Sequence, residues 1–118
     1  MYEISKKFRF EASHSLILVE ENHPCHSMHG HSYTAEFTFR SPILDDKDFL
    51  IDFRSLEDIK KFINENLDHK NLNDVLLFPT TSENIAKWLY DEWKDTYPQL
   101  YSVTIKETES SSATYYSI

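Results

Sequence analysis

The chain has 118 residues, 40% of them hydrophobic and 27% charged, and its 20 acidic against 12 basic side chains give a net charge of -8. That length suits a single domain over residues 1–118 with a real core, and the acidic balance leaves no basic stripe to neutralise a nucleic-acid backbone. No apolar run reaches membrane-spanning length, Met1-Tyr2-Glu3 opens no secretion signal, and one cysteine cannot form an internal disulfide, so a cytoplasmic protein with no membrane partner is expected.

The first element is a strand. Phe8, Phe10, Ala12, His14, Leu16 and Leu18 share one parity, while Arg9, Glu11, Ser13 and Ser15 take the other. Such alternation marks a half-buried strand, here with His14 on its apolar face. A loop follows that carries the only cysteine, Cys25, and ends at the only glycine, Gly30, which stands between His29 and His31. A second strand alternates His29, His31, Tyr33, Ala35, Phe37 and Phe39 against Ser32, Thr34, Glu36, Thr38 and Arg40. Its two histidines therefore share the apolar face. Gly30 points its missing side chain the other way, as a close backbone approach would require.

Leu56, Ile59, Phe62, Ile63 and Leu67 carry helical spacing, and that helix stops near Asp68-His69-Lys70-Asn71. A second helix runs from about Ser82 to Trp93 on the apolar stripe Ile85, Ala86, Trp88, Leu89 and Trp93, with Thr80 and Glu83 as its capping box. Tyr101, Val103, Ile105 and Glu107 share one face of a third strand. Ser110-Ser111-Ser112 forms a turn, and a fourth strand covers Ala113 to Ile118. The order ββααββ describes an α+β domain.

Residues i and i+2 on a strand project together, so His29 and His31 can reach one ion, and His14 joins them if the first two strands pair. Histidine suits zinc, and three nitrogens leave a fourth position open, the pattern of a catalytic site. A single histidine on an apolar strand is more often a hydrogen-bonded core residue, but three buried imidazoles without a metal leave several polar atoms to satisfy. A closed structural site with Cys25 as fourth ligand is the alternative. His23 and His26, in the loop, are expected to be exposed. A thiol beside a metal is pushed toward the reactive thiolate, whereas a single cysteine elsewhere is ordinarily inert. Glu107 is either a solvated strand-end residue or a carboxylate that needs a partner on an apolar face.

The residues Phe10-Glu11-Ala12-Ser13-His14, Cys25-x-x-x-His29-Gly30-His31, Ile51-Asp52-Phe53, Leu67-Asp68-His69-Lys70-Asn71-Leu72-Asn73, Pro79-Thr80-Thr81-Ser82-Glu83-Asn84 and Lys106-Glu107-Thr108 span almost the whole chain. In this order they resemble the 6-pyruvoyl tetrahydropterin synthase superfamily. The three-residue gap between Cys25 and His29 is similar to the bacterial QueD branch, the 6-carboxy-5,6,7,8-tetrahydropterin synthases of queuosine biosynthesis. The resemblance implies a tunnelling fold: an antiparallel sheet with two helices on one face, assembled into a homohexamer with pterin sites between subunits. It implies zinc (Zn2+) on His14, His29 and His31, polarising the side-chain oxygens of a pterin triphosphate substrate. It further implies that Cys25 is the general base, that Asp68 and His69 form a proton-transferring pair, and that Glu107 anchors the pterin with help from Thr81 and Ser82. Rival readings on the same scaffold are pyruvoyl-forming synthesis, side-chain cleavage of sepiapterin, and a zinc-stabilised binding module without catalysis.

Overall fold

Alternation at period two builds two long strands. In the computed structural model, which describes residues 1–118, β1 spans Tyr2–His14 and β2 spans His29–Ser41. They pair antiparallel throughout, from Tyr2 opposite Ser41 to His14 opposite His29. Phe8, Phe10 and Ala12 of β1 are buried with Tyr33, Ala35, Phe37 and Phe39 of β2. Lys7, Arg9 and Glu11 point from the opposite face and are exposed.

Two helices cover the buried face. α1 (Glu57–Asn66) contributes Ile59 and Ile63. A short strand β3 (Lys70–Asn71) and a one-turn helix α2 (Leu72–Val75) come next, then α3 (Ser82–Trp93), which contributes Ile85, Ala86 and Leu89. These side chains and those of the strands form one core of 21 buried residues, each large aliphatic one worth about 1.5–3 kcal/mol on burial. β4 (Leu100–Thr108) pairs with β2, and β5 (Ser111–Tyr116) pairs with β4. The sheet order is β3-β1-β2-β4-β5. This is the expected α+β tunnelling fold.

Four details differ from the sequence reading. The sheet is not wholly antiparallel, because β3 runs parallel to β1 with Lys70 opposite Ala12 and Asn71 opposite Ser13; a two-residue strand has no periodicity to read. β1 ends at His14 rather than Leu18, although the alternation continues. Its partner begins at His29, and beyond that point the Asn73 side chain takes over, accepting from Ser15 N at 2.8 Å and donating to Ser15 O at 3.0 Å. Ile17 and Leu18 are consequently exposed. β5 already includes Ser111 and Ser112, so the turn sits at Glu109 and Ser110. The cap of α3 is Thr81, whose hydroxyl accepts from Asn84 N at 3.2 Å. Thr80 is fully buried and bonds His14 instead.

Candidate metal centre and its surroundings

The β1–β2 register delivers the histidines. His14 lies opposite His29 and Ala12 opposite His31, at the end of the pair where the alternating face still points inward. One ligand nitrogen from each of His14, His29 and His31 falls within 4.8 Å of the others. Hydrogen bonds on the far side of two rings select the tautomer. His14 Nδ1 is 2.9 Å from the Thr80 carbonyl oxygen and 3.1 Å from its hydroxyl, and His29 Nδ1 is 2.7 Å from the Ser27 carbonyl oxygen. A carbonyl only accepts, so each Nδ1 carries the proton and each Nε2 presents a lone pair.

The His14 lone pair lacks a partner, and so does a ring nitrogen of His31. His14 Nε2 and His31 Nε2 are both buried without a hydrogen bond, an arrangement that costs about 1–3 kcal/mol per group. Burial is the main reason the His14 pKa lies below the ordinary histidine value; the nearby His29 and His31 add to it, against the Thr80 carbonyl and Glu107. Its imidazole is thus held in the neutral form that binds metal. A cation shared by the three rings would satisfy both orphaned atoms, and the three histidines fit one.

Glu107 extends the centre. Its carboxylate oxygens lie 3.6 Å from His31 Nε2 and 4.0 Å from His14 Nε2, too far for hydrogen bonds. The carboxylate also borders a cavity of about 390 Å³ with Leu16, Thr81, Ser82 and Ser112. The three residues expected to hold the pterin, Glu107, Thr81 and Ser82, are brought to one hollow beside the histidines. Thr81 already spends its hydroxyl on the helix cap.

Asp68 and His69 touch as expected, and His69 shares with His31 the lining of a cavity other than the one Glu107 borders. Asp68 Oδ2 is 3.0 Å from His69 Nδ1, and Asp68 Oδ1 accepts from Glu11 N at 2.8 Å. The bond from the Glu11 amide is the main cause holding the Asp68 carboxyl below the usual carboxylate range. His69 adopts the left-handed region at φ 58, fixed by its amide donating to Glu11 O at 2.6 Å. That strain is stored where the imidazole is turned outward. His69 borders a second cavity, about 500 Å³, with Glu11, Ser13, Gly30, Ser32 and Lys70.

Cys25 sits half-exposed in a 3-10 turn, Pro24–His26, with its amide donating to His23 Nδ1 at 3.0 Å. The thiol stands outside the converging ligand atoms, so the closed site with Cys25 as fourth ligand is not formed. His23 is exposed and His26 half-exposed. Gly30 also departs from expectation. A Cβ there would meet only the Ala12 carbonyl oxygen at 3.6 Å, an ordinary contact, so nothing within the chain demands glycine. Two residues beside the histidines were not singled out from sequence. Thr80 read as a helix cap, and Tyr33 read as core; the one available signal was that Tyr33 continues the parity of His29 and His31 while carrying a hydroxyl.

The family model described as 6-pyruvoyl tetrahydropterin synthase matches residues 3–117. The chain belongs to that family. It is 36% identical to a 6-carboxy-5,6,7,8-tetrahydropterin synthase of Synechocystis, covering 99% of this chain and 95% of that protein. A second enzyme of that name, from Bacillus subtilis, is 35% identical over 97% of this chain and 84% of its own length. The 6-pyruvoyl tetrahydropterin synthase of Caenorhabditis elegans superposes with a TM-score of 0.86 at 25% identity, covering 99% of this chain and 96% of that one. The histidine cluster beside a polar hollow is compatible with membership in this pterin-synthase family. No helix is long and apolar enough to cross a membrane.

Proposed function

We propose that this chain is a zinc-dependent 6-carboxy-5,6,7,8-tetrahydropterin synthase. It would convert 7,8-dihydroneopterin triphosphate and one water to 6-carboxytetrahydropterin, acetaldehyde and triphosphate, in the cytoplasm and in the service of queuosine biosynthesis. The observation that carries this reading is the convergence of His14, His29 and His31, two of them with orphaned Nε2 atoms, beside a hollow that holds Glu107. The similarity to enzymes of that name over nearly the whole chain supports it.

Zinc held by the three histidines supplies Lewis acidity toward the oxygens of the substrate side chain. The protein groups do the rest. The Thr80 and Ser27 carbonyls hold the His14 and His29 rings in the ligating tautomer. Glu107 accepts from the ring N–H and exocyclic amino group of the pterin, a two-donor edge matched to a carboxylate. Cys25 removes the side-chain proton as thiolate. Asp68, kept ionised, fixes the His69 tautomer and supports the imidazolium as that ring moves a proton.

Cys25 lines neither cavity and His69 lines a different one from Glu107, Thr81 and Ser82, which favours a site completed between subunits. The outer edge of β5 and most of the outer edge of β1 are free of partners, and joining them head to tail closes a ring. The homohexamer expected from the resemblance uses such rings.

Product analysis by mass spectrometry tests the reading, with zinc-loaded protein incubated with 7,8-dihydroneopterin triphosphate. Carboxytetrahydropterin with acetaldehyde is the expected outcome. A 6-pyruvoyl product would move the chain to the biopterin branch, and no turnover by a verified zinc-loaded hexamer would favour a non-catalytic module.

A further inference from the structure

Four buried side-chain atoms lack hydrogen-bond partners: His14 Nε2, His31 Nε2, the Tyr33 hydroxyl and Trp93 Nε1. Metal binding explains the first two and leaves the Tyr33 hydroxyl unaccounted for. Tyr33 is fully buried. Its ring stacks on Phe10 at 4.8 Å and stands 5.4 Å from the His31 ring and 6.0 Å from that of His14. Phenylalanine would fill the same space without an orphaned donor, so packing does not explain the hydroxyl.

The β2–β4 register shows what it serves. Thr34 pairs with Lys106 and Ala35 with Ile105, and continuing that register by one step would set Tyr33 opposite Glu107. Opposed residues on antiparallel strands have Cβ atoms about 4.5–5.5 Å apart, within the combined reach of these two side chains. In this structure the carboxylate leans toward the histidine Nε2 atoms, the ground a metal ion would occupy. A carboxylate left there would become a fourth ligand and close the centre.

We propose that Tyr33 is a positioning residue: its hydroxyl donates to one Glu107 oxygen when metal is bound, holding the carboxylate off the ion and turned toward the ligand hollow. This rests on the metal and pterin assignments above. The experiment compares wild type, Tyr33→Phe, Glu107→Gln and the double variant after loading with cobalt(II), whose visible spectrum reports coordination number. Pterin KM and kcat are measured beside it.

Tyr33→Phe should melt at or above the wild-type temperature, since an unpaired hydroxyl is removed. It should change the position and intensity of the cobalt spectrum, as the carboxylate takes the fourth position otherwise open to solvent, and raise KM about tenfold with kcat less affected, the effect of one charge-assisted hydrogen bond. In the Glu107→Gln background both effects should vanish, because a neutral amide is a poor cobalt ligand. A Tyr33→Phe protein with the wild-type spectrum and KM, or equal effects in both backgrounds, overturns the inference. If wild type itself binds no cobalt, the metal assignment fails as well, so the two failures are distinct.

Discussion

Replacing His31 with alanine separates the metal from the fold. His31 Nε2 is buried without a hydrogen-bond partner, and its side chain is 17% exposed. Deleting the ring removes an unsatisfied polar atom, which offsets the packing lost beside Tyr33. Metal-free stability should therefore move by about 1 kcal/mol or less. The metal-bound state behaves differently. An ion at a hundred times its dissociation constant stabilises a folded chain by about 2.7 kcal/mol. Losing one of three ligands is set at about a hundredfold in affinity, the upper end of what an outer partner alone costs. The ion then sits at its dissociation constant, and the gain falls to RT ln 2, about 0.4 kcal/mol. At about 4 °C per kcal/mol for a domain of this size, the metal-induced rise in Tm drops from about 11 °C to about 2 °C. Calorimetric scans of chelator-stripped protein, with and without zinc at one fixed protein concentration, read both quantities. Metal-free scans of the two proteins should nearly coincide. A zinc-induced shift of wild-type size in His31→Ala would refute its role as a ligand.

Protonation supplies a second test. His14 has its folded pKa below the ordinary 6.5, chiefly through burial, so the unfolded chain takes up its proton first as pH falls. Metal-free stability is complete above about 6.5 and declines below it toward the lowered folded value, and urea midpoints across that window should fall less steeply in His14→Gln. Cys25→Ala should keep metal stoichiometry, since the thiol lies outside the ligand cluster, while turnover drops at least about a hundredfold; near-normal turnover would remove Cys25 from proton transfer. Gly30→Ala should retain metal and change stability by about 0.5 kcal/mol or less, because the new methyl meets only the Ala12 carbonyl at 3.6 Å. Lost metal or a collapsed assembly in that variant would show that something outside the chain approaches Gly30.

Sequence by itself determined which side chains share a face. Period-two alternation placed His14 with Phe8 and Phe10, His29 and His31 with Tyr33, and Glu107 with Val103 and Ile105, and the helix over Ser82 to Trp93 matches α3 residue for residue. Those are local consequences of strand and helix geometry, so they survive without knowledge of the partners. Tertiary structure decided what alternation cannot express. Whether β1 continues past His14 depended on where β2 begins, and the Asn73 side chain then ended the ladder. Thr80 rather than a neighbour supports His14 because the approach to α3 passes beside the end of β1, a contact between residues 66 positions apart. The orientation of Asp68 and His69 followed from β3 docking parallel to β1, which two residues of sequence do not announce. Hydrogen-bond partners and cavities arise between segments, and a pattern read along one segment carries no record of the other.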